Sequence, residues 1–301
     1  MLITRKWAGF AFIAPNVIGF LVLTFLPVLA AFALSLFRWD IFHHPEFVGL
    51  QNFIDLLGGY WDNGSFHWND APFWKYLGNT LYLMIGIPLG IISSLFLAIV
   101  LNQPLRGRYF FRLIFYLPSI CGGIGMLLLW QNILNPEFGL LNTMLHAIGL
   151  PTPGWLTDPK WAKPAFIMMG LWSAMGGMGM ILYLAGLSNI SQELYEAARI
   201  DGASEWRQFL HITWPMVAPT TFFLFVTGII GGFQGGFNAA YVLTRGGPAG
   251  STTTISYYIY NHAFEYFNMG YASAIAVVLF FIVLVATMLN WRFGGKKVNY
   301  A

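Results

Sequence analysis

AGFAFIAPNVIGFLVLTFLPVLAAFALSLF, residues 8–37, contains no Asp, Glu, Lys, Arg or His. A helix needs about 20 such residues to cross the hydrocarbon of a bilayer, so this run suffices by itself. Five more follow at Tyr76–Leu101, Phe110–Ile133, Pro164–Leu187, Met216–Ala239 and Tyr271–Trp291. They are apolar all round rather than alternating in ~10-residue segments, which predicts helices and excludes a membrane barrel. The first run also exceeds the 7–15-residue apolar core of a secretory signal. It is expected to be a retained span behind Arg5 and Lys6.

Composition agrees with this reading. The chain of 301 residues is 57% hydrophobic and 9% charged, against about 45–50% and about 25% for a soluble domain. The expected fold is an all-α membrane protein of about six transmembrane helices, forming a single domain over residues 1–301 with no strong repeat. The net charge of +3 comes with no basic cluster beyond what membrane topology produces, so nucleic-acid binding is not expected. One cysteine, Cys121, leaves no intramolecular disulfide to form.

Lys and Arg tend to stay on the cytoplasmic side. With the N-terminus inside, Arg5, Lys6, Arg106, Arg108, Arg112, Arg199, Arg207, Arg292, Lys296 and Lys297 are cytoplasmic, ten of the fifteen basic residues. Both termini are then expected inside a bacterial-type inner membrane, with 38–75 an outer loop and 188–215 a cytoplasmic one.

Several chemistries are missing. No G-x-x-x-x-G-K-[ST] phosphate loop occurs, since Gly294-Gly295-Lys296-Lys297 has the wrong spacing. No Cys/His cluster has metal-ligand spacing, and His43-His44 reads as a solvated loop pair. The spans hold essentially no ionisable residue of the kind that carries ion coupling; Arg112 sits at an inner edge, where its side chain can snorkel. Energy for any transport is therefore expected from another protein, and no enzymatic activity from this chain.

The loop at 188–215 carries the most local information. Ser191 can cap a helix through Glu193-Leu194-Tyr195-Glu196-Ala197-Ala198-Arg199-Ile200, and Gly202 can stop it in the left-handed conformation. Ser204 can cap a second short helix, which Pro215 is expected to limit. The paired alanines give the first helix a low profile for close approach to a partner, with Glu196 beside them; an amphipathic helix lying on the bilayer accounts for the same residues.

Glu196-Ala197-Ala198, Gly202 and Ile212-Thr213-Trp214-Pro215 resemble the cytoplasmic loop of binding-protein-dependent ABC importer permeases, E-A-A-x3-G-x9-I-x-L-P, with Trp214 in place of the usual Leu. The flanks are similar to the carbohydrate-uptake subfamily of maltose-, lactose- and glycerol-phosphate-type permeases. Gly49-Leu50-Gln51-Asn52-Phe53, Asn79-Thr80-Leu81, Tyr241 to Pro248 and Met269 to Ala274 carry that likeness. The resemblance implies a type I importer permease whose coupling helix docks on an ATP-hydrolysing subunit through Glu196, Ala197, Ala198, Asp201, Gly202, Ile212 and Pro215. It further implies a second permease, a dimeric ATPase that binds the ATP and Mg, an extracytoplasmic solute-binding protein and a sugar-like solute. A non-transporting scaffold or sensor, or a secondary transporter, are the competing functions. The aromatic segment Gly58–Trp74 reads as an interfacial anchor or a contact for the binding protein.

The glycine-rich stretch from Thr227 to Asn238 implies close helix approach, local unwinding or a cavity. Gln234 and Asn238, four apart, would share a helical face and could bond sugar hydroxyls; interhelical packing explains them equally. The pathway candidates are Trp172, Met175, Met178, Phe233, Gln234, Gly236, Phe237 and Asn238.

Overall fold

A computed structural model describes residues 2–104 and 106–294. Lys296 and Lys297 lie outside the described residues, as do the side chains of Arg5 and Lys6. In chain order the helices and strands begin with α1 (Leu2–Phe20) and α2 (Leu26–Leu34), joined by a π turn, then β1 (Phe37–Arg38), β2 (Glu46–Phe47) and α3 (Gln51–Leu57). Next come β3 (Gly59–Asp62), β4 (Ser65–Trp68), α4 (Ala71–Leu83), α5 (Gly86–Asn102), α6 (Arg108–Ile120), α7 (Ile124–Ile133) and α8 (Leu140–Ala147). After these run α9 (Pro159–Met175), α10 (Met178–Ser188), α11 (Gln192–Ile200), α12 (Glu205–Gln208) and α13 (Trp214–Gln234). The chain closes with α14 (Phe237–Ala239), α15 (Ile255–Tyr260) and α16 (Met269–Gly294).

Among the described residues, five helical stretches are long and apolar enough to span a membrane: Phe10–Leu34, Ala71–Asn102, Pro159–Ser188, Glu205–Thr244 and Met269–Arg292. The sixth expected span, Phe110–Ile133, is instead the pair α6 and α7, bent by 100° between Ile120 and Ile124. The physical reason is Gly122-Gly123, where Gly123 has φ +90° and no Cβ to forbid it.

The chain gathers into two compact units, residues 1–73 with 258–281 and residues 74–257 with 282–301. In the first, two short hairpins interrupt an otherwise helical chain. β3 and β4 pair antiparallel with Trp61 opposite Phe66, across a turn in which Asn63 and Gly64 both have positive φ. That Asn-Gly turn is the strongest local hairpin signal, and the aromatic segment carried it unread. Trp61, Phe66 and Trp68 make edge-to-face contacts along one side.

Two of the motifs that gave the resemblance, Gly49 to Phe53 and Met269 to Ala274, turn out to be joints of this unit. Asn52 is buried and its amide donates to the Ser35 and Phe37 carbonyls at 2.8 and 2.9 Å. Gly270 is a glycine because the Phe37 carbonyl occupies the place of a side chain. Tyr271 donates to the buried carboxylate of Asp70 at 2.6 Å, Tyr258 donates to the same oxygen at 2.7 Å, and the Phe73 amide donates to the other at 2.9 Å. His262 rests against Tyr258 and Tyr271 with ring centroids 4.5 and 4.9 Å away, and burial holds its imidazole below the usual histidine range.

Hydrogen bonds to a charged acceptor contribute roughly 1.5–3 kcal/mol each, and bonds that share one acceptor do not add fully. Asp70→Ala is therefore expected to cost on the order of 3 kcal/mol. A clear fall in the thermal unfolding midpoint of the detergent-solubilised protein, with a smaller fall for Asp70→Asn, is the expected result; unchanged melting in both contradicts the clamp.

The second unit has a core of Leu95, Leu97, Ala98 and Leu101 from α5, Met180, Tyr183 and Leu187 from α10, then Ile190, and Val217 from α13. Small residues set the spacing: a Cβ on Gly90 would stand 3.0 Å from that of Ala174, and one on Gly179 would stand 3.0 Å from Ser94 Oγ. Tyr183, fully buried, bonds Thr221 at 2.8 Å and ties α10 to α13. Arg112 does not snorkel freely. Its guanidinium donates to the Leu101 carbonyl at 2.9 Å, near the end of α5 where the last carbonyls lack intrahelical donors.

Candidate functional site

The loop between α10 and α13 folds from purely local instructions. Ser191 Oγ accepts from the Glu193 amide at 3.2 Å, and Glu193 stands in the first turn of α11, where the helix dipole favours an acid. At the other end Gly202 takes φ +76°. The Ala203 amide then donates back to the Ala198 carbonyl at 2.8 Å and the Gly202 amide to Arg199 at 3.1 Å, the bond pair of a Schellman stop. Ser204 caps α12 by accepting from the Arg207 amide at 3.4 Å.

Pro215 does not end that second helix, contrary to the sequence reading. α12 passes through a π turn at Phe209–Thr213 directly into α13, with right-handed helical angles at both junctions. The wider turn gives room for the proline ring, which would otherwise crowd the carbonyl four residues back. The result is one rod from Glu205 to Gln234.

Two further contacts fix the loop to that rod. Tyr195 bonds Thr213 at 2.8 Å, and the buried Gln208 donates its amide to the Ala203 carbonyl at 2.9 Å. Ile212 packs against the core together with Tyr195 and Phe209. Glu196, Ala197 and Asp201 face outward and Ala198 is half-buried. Beside them lies an apolar surface in which Ile200 is 87% exposed and Trp206 66%.

The far ends of both helices that flank this loop reach a cavity of about 790 Å³. Met178 opens α10 and Gln234 closes α13, and both line it. Four helical stretches break beside this space: between α4 and α5 at Met84-Ile85, between α6 and α7, between α9 and α10 at Gly176-Gly177, and between α13 and α14 at Gly235-Gly236. Irregular backbone at membrane depth is tolerated where it lines a cavity, and discontinuous helices of this kind build solute sites in transporters. Three of the breaks fall at adjacent glycine pairs, a signal the sequence carries openly.

The break at Gly235-Gly236 corrects the face argument for Gln234 and Asn238. Gly235 is extended and Gly236 has φ +80°, so the two amides do not sit on one helical face. Both nonetheless line the cavity, and neither makes a side-chain hydrogen bond among the described residues. Gly236, Phe237 and Met178 line it too. Phe233 is buried in packing, Met175 packs against the core, and Trp172 meets the lining residue Trp130 edge-on at 6.4 Å. Trp130 and Gly122-Gly123 are lining residues that the sequence reading passed over. Glycine serves packing as well, because Cβ atoms on Gly228 and Gly232 would stand 2.7 and 2.8 Å from Ile87.

The loop after the broken span is stitched to α4. Asn79 donates its amide to the Gly250 and Thr253 carbonyls at 2.8 and 3.1 Å, while Lys75 donates to the Ala249 carbonyl at 2.7 Å. The Ile255 amide donates to Thr80 Oγ1 at 3.0 Å, and Lys163 donates to Asn79 Oδ1 at 3.2 Å. Thr80 and Thr254 from these two segments line the cavity.

Residues 86–292 match the family described as binding-protein-dependent transport system inner membrane component. The lactose transport system permease protein LacF of Rhizobium radiobacter is 36% identical over 290 residues, covering 94% of this chain and 92% of that protein. A bacterial ABC transporter involved in the import of the acidic polysaccharide alginate has a chain that superposes with a TM-score of 0.83 at 27% identity, covering 99% of this chain and 98% of that one. A bacterial alginate ABC transporter in complex with an alginate pentasaccharide-bound periplasmic protein gives a TM-score of 0.83 at 26% identity, over 99% and 97% of the two chains.

Proposed function

The chain belongs to the family of binding-protein-dependent transport system inner membrane components, and from that premise we propose that loop 188–215 receives a partner ATPase and that the cavity is this chain's share of the solute path. The chain is the transmembrane permease subunit of an ATP-driven, binding-protein-dependent importer of a sugar or related small polar solute. The observation that carries the mechanism is a shared address: α10 and α13, which flank the loop, both terminate at the cavity.

Closure of the ATPase pushes α11 sideways. Tyr195 and Gln208 pass the displacement to the base of α13, and the 21 residues of that helix carry it about 30 Å to Gln234. The Tyr183–Thr221 bond moves α10 in step. Each push thus reaches two cavity walls at once, and the glycine breaks are where those walls bend. Alternating access follows when a second permease does the same from the opposite side. In this arrangement loop 188–215 and both termini are cytoplasmic. ATP and Mg belong to the partner ATPase, and an extracytoplasmic binding protein delivers the solute.

Purification from the native membrane in mild detergent is expected to recover an ATPase and a second permease, identified by mass spectrometry. The ATPase should be lost from a Glu196→Lys variant that still reaches the membrane. Recovery of the chain alone, under conditions that preserve a control importer, refutes the assembly.

A further inference from the structure

The β3–β4 hairpin lies outside the cavity lining, and its pairing sorts its side chains by chemistry. Residues directly opposite each other on an antiparallel pair share a face. Gly59 pairs with Trp68 and Trp61 with Phe66, so one face carries only aromatic side chains; Tyr60 with His67 and Asp62 with Ser65 make the other. The ring contacts repeat that division. Phe66 meets Trp61 and Trp68 edge-on at 5.6 and 4.8 Å, whereas Tyr60 stacks on His67 at 5.7 Å. Gly59 completes the aromatic face by omission, because the Phe66 ring occupies the place of a side chain there.

That face is open. Trp61 is 75% exposed, Phe66 42% and Trp68 41%, and a contiguous apolar patch rimmed by polar residues marks a protein or a membrane contact. Its position in the chain says which. Two residues after Trp68, Asp70 accepts from Tyr271, the third residue of the span Met269–Arg292, and the span Ala71–Asn102 starts at the next residue. The base of the hairpin is therefore fixed at the level where two spans begin. It is also stiff there, since the Asn69 backbone amide donates to the Gly58 carbonyl at 2.9 Å and its side chain to the Ile54 carbonyl at 3.1 Å. Phe66 precedes Asp70 by four residues, which keeps it and Trp68 within about 13 Å of that level, with Trp61 across the ladder.

Charge points the same way. No Lys or Arg lies between Arg38 and Lys75, and Asp62 belongs to the opposite face, so the aromatic face has no charge with which to select a partner protein or an anionic headgroup. Rings with an apolar body and a polar edge concentrate at the membrane–water boundary. A two-stranded hairpin is marginal by itself in water, and burial of this face supplies what a third strand would. We propose that β3–β4 is a bilayer anchor whose Trp61, Phe66 and Trp68 seat in the headgroup layer beside the starts of Ala71–Asn102 and Met269–Arg292, on a lipid surface of any headgroup charge. In the proposed topology that surface is the outer leaflet.

The test uses the full-length chain in phosphatidylcholine vesicles. Cys121 is its one cysteine, so in a Cys121→Ala background a nitroxide is attached to one position at a time, Tyr60→Cys, Trp61→Cys, His67→Cys or Trp68→Cys. Power saturation then compares collisions with lipid-soluble oxygen and with a water-soluble nickel chelate. Labels at 61 and 68 are expected to favour oxygen several-fold more than labels at 60 and 67, and to do so equally when phosphatidylglycerol is added. Hydroxyl-radical oxidation of the unsubstituted chain, read by mass spectrometry, covers the case in which a substitution collapses the hairpin: Trp61 should be protected in vesicles and Tyr60 should not. Water-like behaviour on both faces, with Trp61 unprotected, overturns the anchor. Labels at 61 and 68 that stay in water until a solute-binding protein is added, and are then immobilised, assign the face to that protein instead. Shielding from both oxygen and nickel means that protein covers it, and shielding that needs phosphatidylglycerol means that charge does the seating; either result overturns the proposal.

Discussion

Gly202→Val is expected to lose ATP-driven uptake by ten-fold or more while the chain still inserts into the membrane. The residue sits at φ +76°, a conformation in which a β-branched side chain is an outlier and asparagine is tolerated. The left-handed conformation costs an L-residue about 1–2 kcal/mol. A Cβ at this position would meet nothing within 4 Å, so the whole penalty falls on the backbone turn and none on packing. The chain relieves it by opening the Schellman bonds from Ala203 to Ala198 and from Gly202 to Arg199, which frees the angle between α11 and α12. Gly202→Asn keeps the turn and should retain uptake within about three-fold, because a few tenths of a kcal/mol is less than a factor of three. Equal uptake by the valine and asparagine variants would show that the turn's geometry does not matter to the lever.

Gly236→Val is expected to have the larger effect on the cavity. Its φ of +80° again forbids a branched residue, and a Cβ would lie 2.7 Å from Cγ2 of Thr254, which is 1% exposed. Handedness costs about 1–2 kcal/mol and overpacking a further 1–3. The neighbouring Gly235 carbonyl accepts from Ser256 Oγ at 3.0 Å, so relief of the strain must also disturb that bond. Uptake should fall below detection, with Gly236→Ala intermediate. Gly231→Ala, on the same helix with open space around its Cβ, is expected to behave as wild type and to show that helix α13 tolerates a methyl group elsewhere. Retained transport in Gly236→Val with normal assembly would mean that the helix break is dispensable.

Legibility in the sequence followed the range of the interaction. Ser191, Glu193 and Gly202 lie within a dozen residues, and cap, dipole and left-handed stop all formed as their order dictated. Hydropathy likewise located the spans, because the cost of exposing a backbone polar group to lipid acts on each segment separately. The single-domain organisation and the docking roles of Glu196 and Asp201 remain part of the proposal.

Where the reading went astray, a neighbour outside the local window decided. Pro215 looked like a stop until the preceding π turn made room for its ring. Gln234 and Asn238 looked like one face until Gly235-Gly236 broke the helix between them. The glycine pairs at 122–123 and 176–177 were visible, yet nothing local distinguishes a pair that breaks a helix from Gly231-Gly232, which does not.

By itself, then, the sequence determined a helical membrane protein with a capped helix in loop 188–215 and glycine-rich spans that hold essentially no ionisable residue, since each of these is set by residues adjacent in the chain. Only the tertiary structure decided that the helix breaks meet around one cavity, that α10 and α13 on either side of loop 188–215 both reach it, and that Asp70 is the acceptor for Tyr258 and Tyr271, 188 and 201 residues away. Such meetings depend on how packed helices shift relative to one another, and a ridge-into-groove fit between distant segments leaves no periodic mark in either.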